Sequence, residues 1–179
     1  IKVACVGNSV TYGAGIENRE VNSYPAQLQR MLGEDYEVIN FGKSGATLLN
    51  KGHRPYSEQE EYRAALDFAG DLVVIHLGLN DTDPRNWPNY RDNFVSDYLS
   101  LIESFRKVNP ECKIWICRMT PIAHRHPRFK SGTRDWYWQE QATIEEIAQL
   151  GNTGLIDLQA GLYNRPDLLP DALHPNTEG

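Results

Sequence analysis

The sequence predicts an α/β fold, a three-layer α/β/α sandwich around a five-stranded parallel sheet. Five short runs rich in Val and Ile recur at 2–6, 36–40, 72–77, 113–117 and 154–158, each followed by a polar or glycine-rich turn. Several of these runs are apolar at consecutive positions, the pattern of strands buried on both faces of a parallel sheet. Helical patterns fill the gaps between them, and that alternation implies parallel strands joined by crossovers.

Each helix has its own signals. Ser23 is a candidate N-cap with Pro25 close behind; Leu28, Met31 and Leu32 share a face, and Gly33 stops the run. Residues 58–69 bring Tyr62, Ala65, Leu66 and Ala69 together and end at Gly70. Residues 92–108 place Phe94, Val95, Tyr98, Leu101, Ile102 and Phe105 at helical spacing, and Asn109-Pro110 ends them. Residues 138–150 repeat the pattern through Ile144, Ile147 and Ala148 and stop at Gly151.

Composition narrows the function classes. The chain has 179 residues, 40% of them hydrophobic, which suits one domain with a real core. Lys plus Arg total 18 against 24 Asp plus Glu, for a net charge of −6. A nucleic-acid binder usually carries the opposite balance. No apolar run reaches the ~18 residues of a membrane span. Cys5, Cys112 and Cys117 lack zinc-site spacing and lie in or beside strands, where they read as small hydrophobes. No repeat or low-complexity segment is found. Ile1 opens directly into an apolar run and the last residues read as a loop, so the ends look trimmed. No signal peptide is visible, and the compartment stays open, with a bacterial extracytoplasmic one favoured.

In a parallel α/β sheet the chemistry belongs just after the carboxyl ends of the strands. After the first strand stands Gly7-Asn8-Ser9, where Ser9 is either an exposed nucleophile at a helix start or only an N-cap. It is not a G-x-S-x-G elbow, because Thr11 stands where the second glycine belongs. After the second strand, Gly42-Lys43-Ser44-Gly45 is no P-loop, since Glu37 holds the position of its first glycine. It reads as a turn with free backbone N–H groups. After the third strand, Asn80 either caps the next segment or aims its amide into the cleft that holds Ser9. Near the end, Asp171 and His174 lie three apart on one side of a turn. The carboxylate can accept from one ring nitrogen and leave the other free as a base.

Four blocks, GNSVTYG, NFGKSGAT, GLND and DALHPN, stand in this order and span nearly the whole chain. Together they resemble the SGNH hydrolase superfamily, also called GDSL esterases and lipases. Within it the chain is nearest to bacterial acetylesterases of the sialate O-acetylesterase or acetylhydrolase kind. The resemblance implies a flavodoxin-like sheet, a single domain over 1–179 that lacks its final C-terminal helix, and ester hydrolysis without metal or organic cofactor. It implies Ser9 as nucleophile, His174 as base and Asp171 as its orienting acid, with Gly45 and Asn80 joining the Ser9 N–H in the oxyanion hole. The chain departs from the family pattern at Asn8, where an Asp is usual, and at Leu79, where a Thr is usual.

The leading function is therefore a serine esterase for short-chain, acetyl esters, with a carbohydrate or small-molecule ester as partner. The alternative is a catalytically impaired SGNH-fold carbohydrate-binding module, suggested by Asn8 and the abrupt end. A flavin or nucleotide binder would share the sheet but lacks a phosphate motif. His124-x-His126 reads as exposed loop histidines and not as a metal site. His76, inside the third strand, reads as a satisfied core histidine. The stretch 124–138 is expected to select the substrate: Arg125, Arg128, Lys130 and Arg134 precede Trp136, Tyr137 and Trp138, and Trp87 is expected on the same side. Acyl chain length, the alcohol and the oligomeric state are left open.

Overall fold

The computed structural model describes residues 1–129 and 132–179. The strands fall where the apolar runs predict: β1 (Lys2–Gly7), β2 (Glu37–Gly42), β3 (Leu72–His76), β4 (Lys113–Arg118) and β5 (Gly154–Asp157). They form one sheet in the order β2-β1-β3-β4-β5, every pair parallel, with Ala4 beside Ile39 on one flank and Val73 on the other. The interior strand β1 is buried at five consecutive positions, Val3 to Gly7, because helices cover both of its faces. Fully burying a Val or Ile stabilises by about 1.5–3 kcal/mol, so these runs are the main source of the core's stability.

The expectation of burial on both faces fails at one edge. Trp115 of β4 is 44% exposed and Leu155 of β5 38%, so that corner of the sheet is left partly uncovered among the described residues. Trp115 instead lies flat over Gly154, where an added Cβ would come within 2.1 Å of its ring.

Four longer helices connect the strands: α3 (Tyr24–Leu32), α4 (Glu60–Phe68), α6 (Phe94–Val108) and α7 (Thr133–Leu150). Four short ones, α1 (Ser9–Tyr12), α2 (Arg19–Asn22), α5 (Trp87–Tyr90) and α8 (Leu158–Leu162), lie in the loops and carry no periodic signal of their own. Two sequence expectations are corrected here. Met31 leaves the buried face of α3 and is 79% exposed. Helix α7 starts five residues before the predicted position 138. The run Thr133–Tyr137 is polar and aromatic, yet Tyr137 continues the buried stripe of Gln141, Ile144 and Ala148 at helical spacing. Among the described residues no helix is long and apolar enough to cross a membrane.

His76 ends β3 in the core, with no exposed surface. Its Nε2 accepts from the Thr120 N–H at 3.2 Å, while Nδ1 has no partner among the described residues. It is half satisfied. Burial pushes the imidazole down from 6.5 to about 4, so the folded protein holds it neutral. Between those two pH values the unfolded chain takes up a proton that the folded chain refuses, and stability is lost as pH falls through the window. Wild type should therefore lose about 3 kcal/mol of its stability advantage over His76→Gln between pH 6.5 and pH 4. Denaturant titrations of both proteins across this range check it; parallel curves would remove His76 from the account.

Candidate active site

The site forms where β1, β2 and β3 end. Asn8, fully buried, caps α1: its Oδ1 accepts from the Val10 N–H at 3.0 Å. Ser9 is thus the first helical residue and not the cap. Its Oγ is left for His174, whose Nε2 lies 2.9 Å away. Asn8 supplies the capping oxygen as an Asp would, but its Nδ2 is buried with no acceptor among the described residues. Gly42 sits under α1, and a Cβ there would come within 2.2 Å of the Tyr12 nitrogen. Only glycine lets the helix carrying Ser9 close on the end of β2.

His174 and its carboxylate partner come from the turn 171–174. Ala172 takes a left-handed conformation, φ 69°, which folds the turn back on itself. Asp171 Oδ1 then accepts from the N–H groups of Leu173 at 2.9 Å and His174 at 2.6 Å. Its Oδ2 faces His174 Nδ1 at 2.6 Å. Burial raises the Asp171 carboxyl, but the bonds from the His174 ring and the two backbone donors outweigh it and hold the group at about 2. An ionised acceptor keeps the ring proton on Nδ1, so Nε2 presents a lone pair to the serine hydroxyl.

Asn80 lies in a 3-10 turn, Leu79–Thr82, and is buried at 7% exposure. It does not cap that turn. Its Nδ2 donates to the Ala46 carbonyl at 2.9 Å, which ties it to the loop of Gly45. An amide nitrogen carries two hydrogens, and the second is left for the cleft. Gly45 has φ 80°, a left-handed turn that glycine adopts without strain. Neither its N–H nor that of Ser9 has an acceptor among the described residues.

Three residues hold Asn80 in place: Asp81 and Asn86, which sequence reasoning did not single out, and Arg128, which it expected to face the substrate. Asp81 is buried and accepts from the N–H groups of Leu48 at 2.9 Å and Leu49 at 2.8 Å, joining the β3 loop to the β2 loop. Burial pushes its carboxyl up to about 7 in spite of these donors. Asn86 donates to the Asn80 carbonyl at 2.9 Å. Arg128 donates to Asn80 Oδ1 at 3.3 Å and to the Leu79 carbonyl at 3.2 Å. Asp81 was visible as the last letter of GLND. Nothing local marked Asn86 for this role although it lies six residues from Asn80, and Arg128 reaches Asn80 across 48 residues.

The stretch 124–138 is only partly what the sequence suggests. Arg125, Arg134 and Trp138 line a cavity of about 470 Å³ with Phe129, Tyr163 and Arg165; its wall reaches Leu169 and includes none of Ser9, Gly45, Asn80, Asp171 and His174. Arg128 faces inward to Asn80, and Tyr137 is buried with its hydroxyl donating to the Met119 and Thr120 carbonyls. Trp136 is half-buried against the core. Trp87 is buried too: it packs on Phe94 and donates to Gln139 Oε1 at 2.9 Å. Large apolar rings near a helix start found the core, and only Trp138 stayed at the surface. Lys130 lies outside the described residues.

Lys43 pairs with Glu61 at 3.2 Å, an ordinary surface contact. His126 Nδ1 accepts from the Arg128 N–H at 3.0 Å, and His124 is exposed. Among the described residues no group of three His, Cys, Asp or Glu side chains could hold a metal ion. The three cysteines are free thiols, two of them deep in the sheet. Burial pushes Cys5 up to about 12, far from a reactive thiolate.

The model of the GDSL-like lipase/acylhydrolase family matches residues 5–179. The chain belongs to this family. Among its relatives is an acetylxylan esterase of Xylanibacter ruminicola, 37% identical over 197 aligned positions that cover 100% of this chain and 40% of the relative. The chain therefore spans about two fifths of the length of that curated relative. Solved structures agree on the fold. An acetyl xylan esterase superposes with a TM-score of 0.72 at 24% identity, covering 100% of this chain and 93% of the other. A carbohydrate acetylesterase from Sinorhizobium meliloti gives 0.70 at 20% identity, covering 99% and 91%.

Proposed function

We propose that this chain is a serine esterase that removes acetyl groups from a carbohydrate. The reading rests above all on the Ser9–His174–Asp171 chain of hydrogen bonds at the carboxyl end of a parallel sheet. In this mechanism Ser9 Oγ attacks the ester carbonyl while His174 Nε2 takes its proton. The carbonyl π electrons move onto oxygen, and the oxyanion is met by the N–H groups of Ser9 and Gly45 and the Asn80 amide. His174 then gives its proton to the departing sugar oxygen, leaving an acetyl-enzyme. Water, deprotonated by the same imidazole, releases acetate and restores Ser9. Asp171 keeps its negative charge throughout and stabilises the imidazolium.

The acetyl and carbohydrate parts of the reading draw on the acetylxylan esterase relative and on the cavity whose wall reaches Leu169. An exposed Trp138 face suits the apolar face of a sugar ring, and Arg134 and Arg125 suit its polar substituents. The test is release of acetate from acetylated xylo-oligosaccharides, compared with nitrophenyl acetate and longer nitrophenyl esters. Acetyl esters should turn over fastest. Trp138→Ala and Arg134→Gln should raise KM for the oligosaccharide several-fold and leave nitrophenyl acetate nearly unchanged. Equal effects on both substrates would return the cavity to a structural role. No hydrolysis of any ester would favour the impaired binding module.

A further inference from the structure

An asparagine that donates to an oxyanion has a hazard built into it. Its oxygen and nitrogen are nearly the same size, and a half-turn about the last side-chain bond replaces the donor by an acceptor. Here the main chain is already fixed: Asn86 holds the Asn80 carbonyl, and Asp81 clamps the N–H groups of Leu48 and Leu49. The amide itself is gripped from two sides. Nδ2 donates to Ala46 O at 2.9 Å, and Oδ1 accepts from Arg128 Nη2 at 3.3 Å.

We propose that Arg128 is a positioning residue for the esterase reaction, locking the Asn80 amide in the orientation that donates to the oxyanion. The inference rests on the esterase reading above. Arginine carries five donors and no acceptor, so a turned amide would set NH₂ against guanidinium. It would also set the amide oxygen against the Ala46 carbonyl. The second arm of the fork, Nη1 to Leu79 O at 3.2 Å, anchors the guanidinium to the backbone one residue before Asn80. Lysine would keep the charge but lose this two-point grip.

The charge of Arg128 also has work to do. Glu140 is fully buried nearby on α7, and neither of its oxygens has a partner among the described residues. Burial, above all, pushes its carboxyl well above the usual range, with Asp81 adding to the rise and Arg128 opposing it. Asp83, the other acid acting on Arg128, is committed to both arms of Arg85 at 3.0 and 3.1 Å. A cation on Oδ1 draws electron density from the amide and makes its N–H a stronger donor.

The experiment is a double-mutant cycle of Arg128→Met and Asn80→Ala, with kcat and KM measured on nitrophenyl acetate and folding followed by circular dichroism. Asn80→Ala should cost about 10²–10³ in kcat. Arg128→Met should cost about 10–10², with KM little moved, because the lost interaction belongs to the transition state. In the Asn80→Ala background the same Arg128→Met change should cost less than about 3-fold, since the amide it positions is gone. Arg128→Lys should recover part of the rate and carries the same cycle if the Met variant fails to fold. Equal losses in both backgrounds, or an effect confined to KM, would overturn the proposal. A normal kcat in Asn80→Ala alone would sink the oxyanion reading instead, and this inference with it.

Discussion

Ser9→Ala should fold normally and lose essentially all turnover, on the order of 10⁶ in kcat, keeping only what oxyanion donors and binding sustain. The fold should survive because nothing structural rests on the hydroxyl. Asn8, not Ser9, caps α1, and among the described residues the single partner of Ser9 Oγ is His174. Thermal unfolding should therefore match wild type within about 0.5 kcal/mol. Nitrophenyl acetate turnover and mass spectrometry of the intact protein check the other half: wild type should trap an acetyl group on Ser9 when quenched, and the variant should not. A variant with near-normal kcat would mean that another group attacks the ester.

What could be read from the chain and what could not divide along a physical line. Strand β1 was legible because burial on both faces leaves a nearly unbroken apolar run, and the less buried β2 and β5 because Val, Leu and Ile still cluster in them. Asp171 and His174 were legible because their contact is local, closed by one turn. That Ser9 would meet them was readable only through the rule that strand ends converge, since 165 residues separate it from His174. Other features depend on contacts that no local pattern encodes. The start of α7 is set by Tyr137 finding the Met119 and Thr120 carbonyls, so a polar, aromatic stretch became helix. Trp87 and Arg128 looked like substrate-facing groups by composition alone. Their partners, Gln139 and Asn80, lie 52 and 48 residues away, and those contacts turned both side chains inward.

Asp171→Asn should cost about 10⁴ in kcat at neutral pH, although the two side chains are almost the same shape. The reason lies in how Asp171 divides its oxygens. Oδ1 accepts from two backbone donors, the N–H groups of Leu173 and His174, and Oδ2 accepts from His174 Nδ1. Asparagine has one oxygen, and the two backbone donors claim it, so its NH₂ must face the imidazole. There it can only donate, which forces the Nδ1 lone pair outward and moves the ring proton to Nε2. Nε2 would then donate to Ser9 Oγ and could no longer take its proton. Because the amide keeps both backbone bonds, the left-handed turn at Ala172 and the fold should survive, which circular dichroism and thermal unfolding can check. Asp171→Ala provides the control: it loses the turn's bonds as well as the charge, yet it does not enforce the wrong tautomer. The isostere should therefore be no more active than the truncation. If Asp171→Asn instead stays within about 10-fold of wild type, some other acceptor orients His174, and the relay assigned to Asp171 is wrong.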